Sequence, residues 1–206
     1  MLVPLSGWVQ WPYDWTPDGR FIIYGDGAAQ TGDDLMILPM SGANASPAGR
    51  SEQKNDGDRK PRPFLRTQFN EGDARFSPDG RWVAYVSDES GRSEVYVRPF
   101  AESGQAVKRQ ISTAGGVSPR WRRDGKELFY LAVDKRLMAV PVQIGATFEA
   151  GTPAALFQVE VPAAFDGYDQ YDVTSDGQRF LINTTVAEAN RLPLTTVVNW
   201  TRDLKR

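Results

Sequence analysis

The sequence contains neither cysteine nor histidine. Without cysteine there are no disulfides, no thiolate metal sites and no sulfur nucleophile, and the redox compartment is left open because oxidising and reducing compartments both tolerate its absence. Without histidine there is no Ser-His-Asp chemistry, no imidazole base and no common transition-metal ligand set. Any catalysis would run on carboxylates, lysine, arginine, tyrosine, serine or a bound hard cation. No apolar run approaches the roughly 20 residues that span a bilayer, and "MLVPLSGWVQWPYDW" has neither the basic start nor the continuous apolar stretch of a secretory leader. The net charge of −2 gives no general attraction to nucleic acid or anionic membranes.

What remains is a chain of 206 residues, 40% hydrophobic and 24% charged, which is ample for one globular domain. Its internal order is a repeat. "DWTPDGRFIIYGD", "FSPDGRWVAYVSD", "WRRDGKELFYLAVD" and "DVTSDGQRFLINT" align on the glycines Gly19, Gly80, Gly125 and Gly177, at spacings of 61, 45 and 52 residues. Units of roughly 40 to 50 residues, rich in short strands, are the signature of β-propeller blades. The longest spacing holds "SGANASPAGRSEQKNDGDRKPRP", residues 41–63, too polar to bury a core of its own and expected as a loop insertion.

Each unit reads as a short strand, an Asp-Gly turn, a second strand, a polar loop and further strands. In the second unit these are Ala74 to Ser77, Trp82 to Ser87, Glu94 to Phe100 and "VKRQIST". Almost every position of Trp82 to Ser87 is apolar, as in a strand buried on both faces. Pro78 presets φ for a turn and Gly80 accepts a positive φ. The expectation is one all-β domain over 1–206, a β-propeller of four four-stranded blades at about 11–68, 73–113, 118–158 and 170–200. The last unit lacks a clear fourth strand, so Val3 to Gln10 is expected to pair near Leu194 to Trp200 and close the ring through both termini. The alternative is half of an eight-bladed ring completed by a dimer.

The words "FSPDGRWVAYVSDESGRSEVYVRPF", "PRWRRDGKELFYLA" and "YDVTSDGQRFLIN" closely resemble TolB-like propeller repeats. They are similar in particular to those in the C-terminal regions of bacterial proteins that often carry a serine/threonine kinase domain upstream. The resemblance runs over nearly the whole chain and implies a propeller fold and a larger bacterial protein, with the periplasm as one compartment open to it. It does not imply an activity, because the shared residues are turn and blade residues. No kinase phosphate loop or catalytic-loop triplet is present.

The aspartates Asp18, Asp79, Asp124 and Asp176 recur at the turns, where an aspartate most often bonds its own turn backbone. "TGDDL" and "NDGD" lack the alternating oxygen ligands of an EF-hand and read as solvated loops. In a propeller the segments that enter each inner strand converge on the channel mouth, a natural ligand site. Here they are "WVQWPYD", "FNEGDAR", "TAGGVSPRWR" and "AFDGYDQYD". Trp11, Tyr13, Tyr168 and Tyr171 offer aromatic faces, Glu71, Asp73 and Asp169 carboxylates, and Arg75, Arg120 and Arg122 fixed positive charge. This set suits a protein, peptide or small-molecule ligand. The expected function is a non-catalytic binding or sensor module, monomeric, without cofactor and without nucleic-acid or membrane partners. The alternative is a propeller hydrolase or lyase acting on a saccharide, ester or lactone through carboxylate, tyrosine and arginine, with calcium in the channel as its cofactor.

Overall fold

The computed structural model describes residues 9–28, 32–40, 60–100, 107–161 and 170–184, together with the backbone of 195–198. Their architecture follows from the turn chemistry. In every unit the residue three before the glycine, Thr16, Ser77, Arg122 or Thr174, accepts the glycine N–H at its carbonyl at 2.8–2.9 Å. The glycines lie at φ +70° to +71°, the left-handed region that a residue without Cβ adopts freely. The aspartates Asp18, Asp79, Asp124 and Asp176 each accept the N–H two residues onward at 3.0–3.1 Å. Thr16, Ser77 and Thr174 add their hydroxyls, which accept the N–H groups of Phe21, Trp82 and Arg179. The repeated aspartates are therefore turn clamps, in four separate turns.

Each turn joins an antiparallel hairpin, and consecutive hairpins build four sheets. The first runs β1 (Gln10–Trp15), β2 (Phe21–Ala28), β3 (Gly32–Pro39), β4 (Arg62–Leu65), and the second β5 (Glu71–Phe76), β6 (Trp82–Ser87), β7 (Glu94–Pro99), β8 (Arg109–Gln110). The third is β9 (Gly116–Trp121), β10 (Glu127–Ala132) and the long β11 (Arg136–Ile144). The early part of β11 pairs with β13 (Ala154–Gln158) and its end with β12 (Phe148–Ala150), one strand beyond the expected four. The fourth is β14 (Tyr171–Val173), β15 (Arg179–Ile182) and β16 (Thr195–Val198). The strand β4 begins inside the stretch expected to be insertion, and Pro63 is tolerated there because β4 is an edge strand. No helix of the described residues is long and apolar enough to cross a membrane.

The sheets stack face on face. Trp82 and Ala84 pack with Val95, Leu128, Tyr130 and Val140 between the second and third sheets, while Val83 and Tyr85 point back to Ile23, Leu35 and Ile37 of the first. The next strand repeats this: Leu128 and Tyr130 face the second sheet, Phe129 and Leu131 the fourth. Alternating residues of one apolar strand thus serve two interfaces, as both-face burial demands. The inner strands β1, β5, β9 and β14 are neighbours in that order.

Two positions break the pattern. Four residues before the turn glycine, Phe76, Trp121 and Val173 pack on the preceding sheet, while Trp15 is 51% exposed. Four residues after it, Ile23, Ala84 and Phe129 pack on the following sheet, while Leu181 is 48% exposed. Of the segment expected to close the ring, Val3 to Trp8 lies outside the described residues, as do Leu194, Asn199 and Trp200; Gln10 already belongs to β1, opposite Asp26.

Candidate functional site

The inner strands do not run straight. The register of β1 shifts between Pro12 and Asp14, that of β5 between Gly72 and Arg75, and that of β9 opposite Phe129 to Leu131, so all three bulge at one height. In β5 and β9 the bulge places a non-glycine residue in the left-handed region, Asp73 at φ 49° and Ser118 at φ 55°. Each lies seven residues before its turn glycine, and a bulge of this kind re-aims a side chain. Such backbone costs of order 1 kcal/mol or more and concentrates at functional sites.

These side chains open on a cavity of about 260 Å³ at the end of the inner strands away from the Asp-Gly turns. Tyr13, Asp73, Ser118 and Gln170 line it, one residue from each sheet or its approach, with Glu71 and the rim residues Asp33, Asn70 and Asp88. Tyr13 reaches it by lying across two glycines: a Cβ on Gly25 would stand 2.9 Å, and one on Gly72 3.0 Å, from its hydroxyl oxygen. Its hydroxyl is hydrogen-bonded to the Asp73 backbone, and burial pushes its pKa up to about 12. At the rim Asp88 accepts from the Asn70 N–H at 2.9 Å and its side-chain amide at 2.6 Å, and the Asn70 oxygen accepts the Asp33 N–H at 3.3 Å.

Beneath this lining runs a layer of charge, five residues before the turn glycine in the first three units: Asp14, Arg75 and Arg120. Asp73 lies 3.6 Å from both Arg75 and Arg120. Arg75 also donates to the Tyr13 carbonyl at 2.6 Å, and Arg120 stands over the Tyr171 ring at 5.8 Å. Asp14 accepts the Phe76 N–H at 2.7 Å, a bond from one sheet to the next, and burial raises its pKa. The layer is internally compensated and holds the inner strands together.

Glu71 differs from the other acids. It is 1% exposed, its Oε1 accepts the Thr67 hydroxyl, and its Oε2 has no hydrogen-bond partner. Burial is the main reason its pKa rises from the ordinary 4.5 to about 7, with Asp34 and Asp88 pushing the same way and hydrogen bonding from the Thr67 side chain and backbone opposing. Because the folded-state pKa lies above the ordinary one, folding takes up a proton between these values, and the stability present at acid pH is lost as pH rises through about 7. Glu71→Gln is therefore expected to stabilise the fold at pH 8 by about 1–2 kcal/mol, after allowance for solvent screening, and to give no gain at pH 4. Urea titrations at the two pH values check it, and a gain independent of pH would refute the assignment.

Of the residues expected at the mouth, Tyr13, Glu71 and Asp73 line the cavity, and Arg75 and Arg120 form the layer beneath. Tyr171 is instead a core residue, packed with Phe180 and Phe129, because the side chain at this step of β14 faces the third sheet. Trp11 is on the exposed side of β1 beside Gly27 and does not line the cavity. Arg122 lies at the opposite end, in the slot that Thr16, Ser77 and Thr174 fill elsewhere; it bonds Glu127 at 2.8 Å and Asp124 at 3.1 Å. Tyr168 and Asp169 lie outside the described residues. Sequence reading passed over Asp33, Asn70, Asp88, Ser118 and Gln170. The last two could have been found by counting seven residues back from Gly125 and Gly177.

A second cavity of about 290 Å³ lies at the turn end between Thr16, Asp18, Arg20, Asp79 and Phe100. The oxygens of Thr16, Asp18 and Asp79 there are engaged in the turn clamps. Among the described residues no group of three or more acidic side chains is arranged to hold a metal ion.

Stacked antiparallel meanders whose first strands lie side by side are the arrangement of β-propeller sheets. The profile of the prolyl oligopeptidase N-terminal β-propeller domain matches residues 67–140. Among solved structures, TolB from Acinetobacter baumannii superposes with a TM-score of 0.52 at 17% identity, over 94% of this chain and 53% of that one. A protein assigned as TolB from Agrobacterium tumefaciens gives 0.50 at 15% identity, over 73% and 51%. One assigned as a 6-phosphogluconolactonase from Bacteroides uniformis gives 0.51 at 18%, over 90% and 53%. The fold is that of a TolB-like propeller, and the chain spans about half the length of these structures. No curated protein matches the sequence.

Proposed function

We propose that the domain is a non-catalytic propeller module, its four sheets serving as blades, that recognises a protein or peptide segment at the channel mouth. One observation carries the reading: consecutive inner strands and the approach to the fourth each send a polar side chain, Tyr13, Asp73, Ser118 and Gln170, into one cavity. Two of them stand on strained backbone that the turns and seams do not require. The experiment is peptide selection by phage display on the folded chain, followed by mapping of the binders on amide resonances. The reading expects perturbation at Gly72, Ser118 and Gln170 and loss of binding in Asp33→Lys. Binders that map to the turn-end cavity, or that ignore Asp33→Lys, would refute it.

The hydrolase or lyase reading has one group in its favour, Glu71, whose pKa of about 7 suits acid–base work. Tyr13 and Tyr171 do not support it, because burial holds both phenols protonated far above neutrality. Turnover of a lactone, ester or glycoside by the wild-type chain and not by Glu71→Gln would reverse the preference.

A further inference from the structure

Among the described residues, the cavity at the mouth is lined by the carboxylates Asp33, Glu71, Asp73 and Asp88 and by no lysine or arginine. Of these, Asp73 is answered by the two guanidinium groups beneath it and Asp88 by Asn70, while Asp33 is only half-buried at the rim. Glu71 is the buried exception. Its side chain is almost wholly buried against the cavity, and its Oε2 has no donor although Oε1 has one. A buried carboxylate oxygen without a donor costs free energy that only a donor, preferably a charged one, removes. We propose that the mouth binds an organic ammonium group, a lysine side chain or the amino terminus of a peptide, with Glu71 as its buried acceptor.

The geometry selects this chemistry over its neighbours. An anion would meet four carboxylates, and a neutral group would leave their mutual repulsion unrelieved. A guanidinium is best bound by both oxygens of one carboxylate in a plane, and Thr67 already holds one oxygen of Glu71. An ammonium is a point charge with three donors that diverge, and acceptors on separate strands suit it. The groups facing Glu71 reinforce the preference: Asp33 and Asp34 on β3, Asp88 after β6 and Tyr85 within it, and Thr67 before β5. Arg66 on the same side is committed to Asp34 at 2.7 Å.

The inference rests on the reading of the mouth as a peptide-binding site, and the test separates the two. Three probes are titrated into the isotopically labelled full chain at pH 8 and followed at the amides of Gly72, Ser118 and Gln170. They are a blocked alanine-rich pentapeptide with a central lysine, the same peptide acetylated on the lysine Nζ, and an alanine pentapeptide with a free amino terminus. The expected result is saturable perturbation at these amides by the lysine peptide, the free-terminus peptide or both, which identifies the source of the ammonium, with at least tenfold weaker binding of the acetylated form. Glu71→Gln should weaken the ammonium probes at least tenfold. The wild type provides an independent measurement with the lysine peptide, whose ammonium stays protonated throughout: its affinity should rise about tenfold from pH 6 to pH 8 as Glu71 ionises, and that of the free-terminus peptide by less because its own amine begins to deprotonate. Equal binding of acetylated and free lysine, or affinity indifferent to both pH and Glu71→Gln, overturns the ammonium assignment and leaves peptide recognition at the mouth standing. Perturbation confined to residues away from the mouth, or none with any probe, overturns both.

Discussion

Phe129→Ala is expected to lower the free energy of unfolding by about 3–5 kcal/mol and the melting temperature by roughly 10 °C. The side chain is fully buried in the middle strand of the third sheet, among Leu131, Leu137 and Ala139 and against Tyr171 and Ile182 of the fourth. Its ring meets that of Phe180 edge to face at 5.1 Å between centroids. Truncation removes that contact and leaves a cavity in an interface where Phe157, edge to face with Phe180 at 5.6 Å, is the ring left across the seam, so the transfer cost and the cavity cost add. Phe129→Leu keeps most of the volume and should cost no more than about 1.5 kcal/mol. Urea titrations of the two variants check the ratio. A loss below 1 kcal/mol for the alanine variant would mean that the third and fourth sheets do not depend on this seam.

Glu94→Ala should cost about 2–4 kcal/mol, more than a surface acid ever does. Glu94 is buried in β7, where Oε2 accepts the Ser112 hydroxyl and Oε1 the Gly115 N–H at 2.8 Å. Ser112 in turn accepts the Val95 N–H at 2.8 Å. One side chain therefore fastens the connector from the second sheet to the third, and removing it strands buried donors. Glu94→Gln retains an acceptor for Gly115 and should recover most of the loss. The same connector leads into Val117 and Ser118, so the alanine variant should also speed hydrogen exchange at the Gly115 and Ser118 amides. Exchange unchanged at both would break the link between this clamp and the mouth.

The blades were legible in the sequence because their punctuation is local. Asp79 and Gly80 make their turn with bonds that span two or three residues, so the words announce the structure without help from the rest of the chain. Trp82 to Ser87 and Glu94 to Pro99 are strands where the apolar pattern places them. The mouth was legible only in part because a bulge adds one residue to a strand of period two. That single residue decides whether Asp73 or its neighbour faces the axis, and alternation carries no trace of it. Arg122 misled for a related reason: arginine beside Arg120 looks like one cluster, yet the two lie in different layers, one in the turn and one under the mouth.

The bulges also separate two kinds of heredity within one strand. Residues four before the later turn glycines, Phe76, Trp121 and Val173, are bound to their seams, and a change there must be matched across the interface. Residues seven before it, Asp73, Ser118 and Gln170, line the cavity. A lineage of such proteins could rewrite its ligand by substitutions at these few places while every seam stayed as it was. A library at positions 118 and 170 would search new specificities with the Asp73 carboxylate kept in place to answer Arg75 and Arg120.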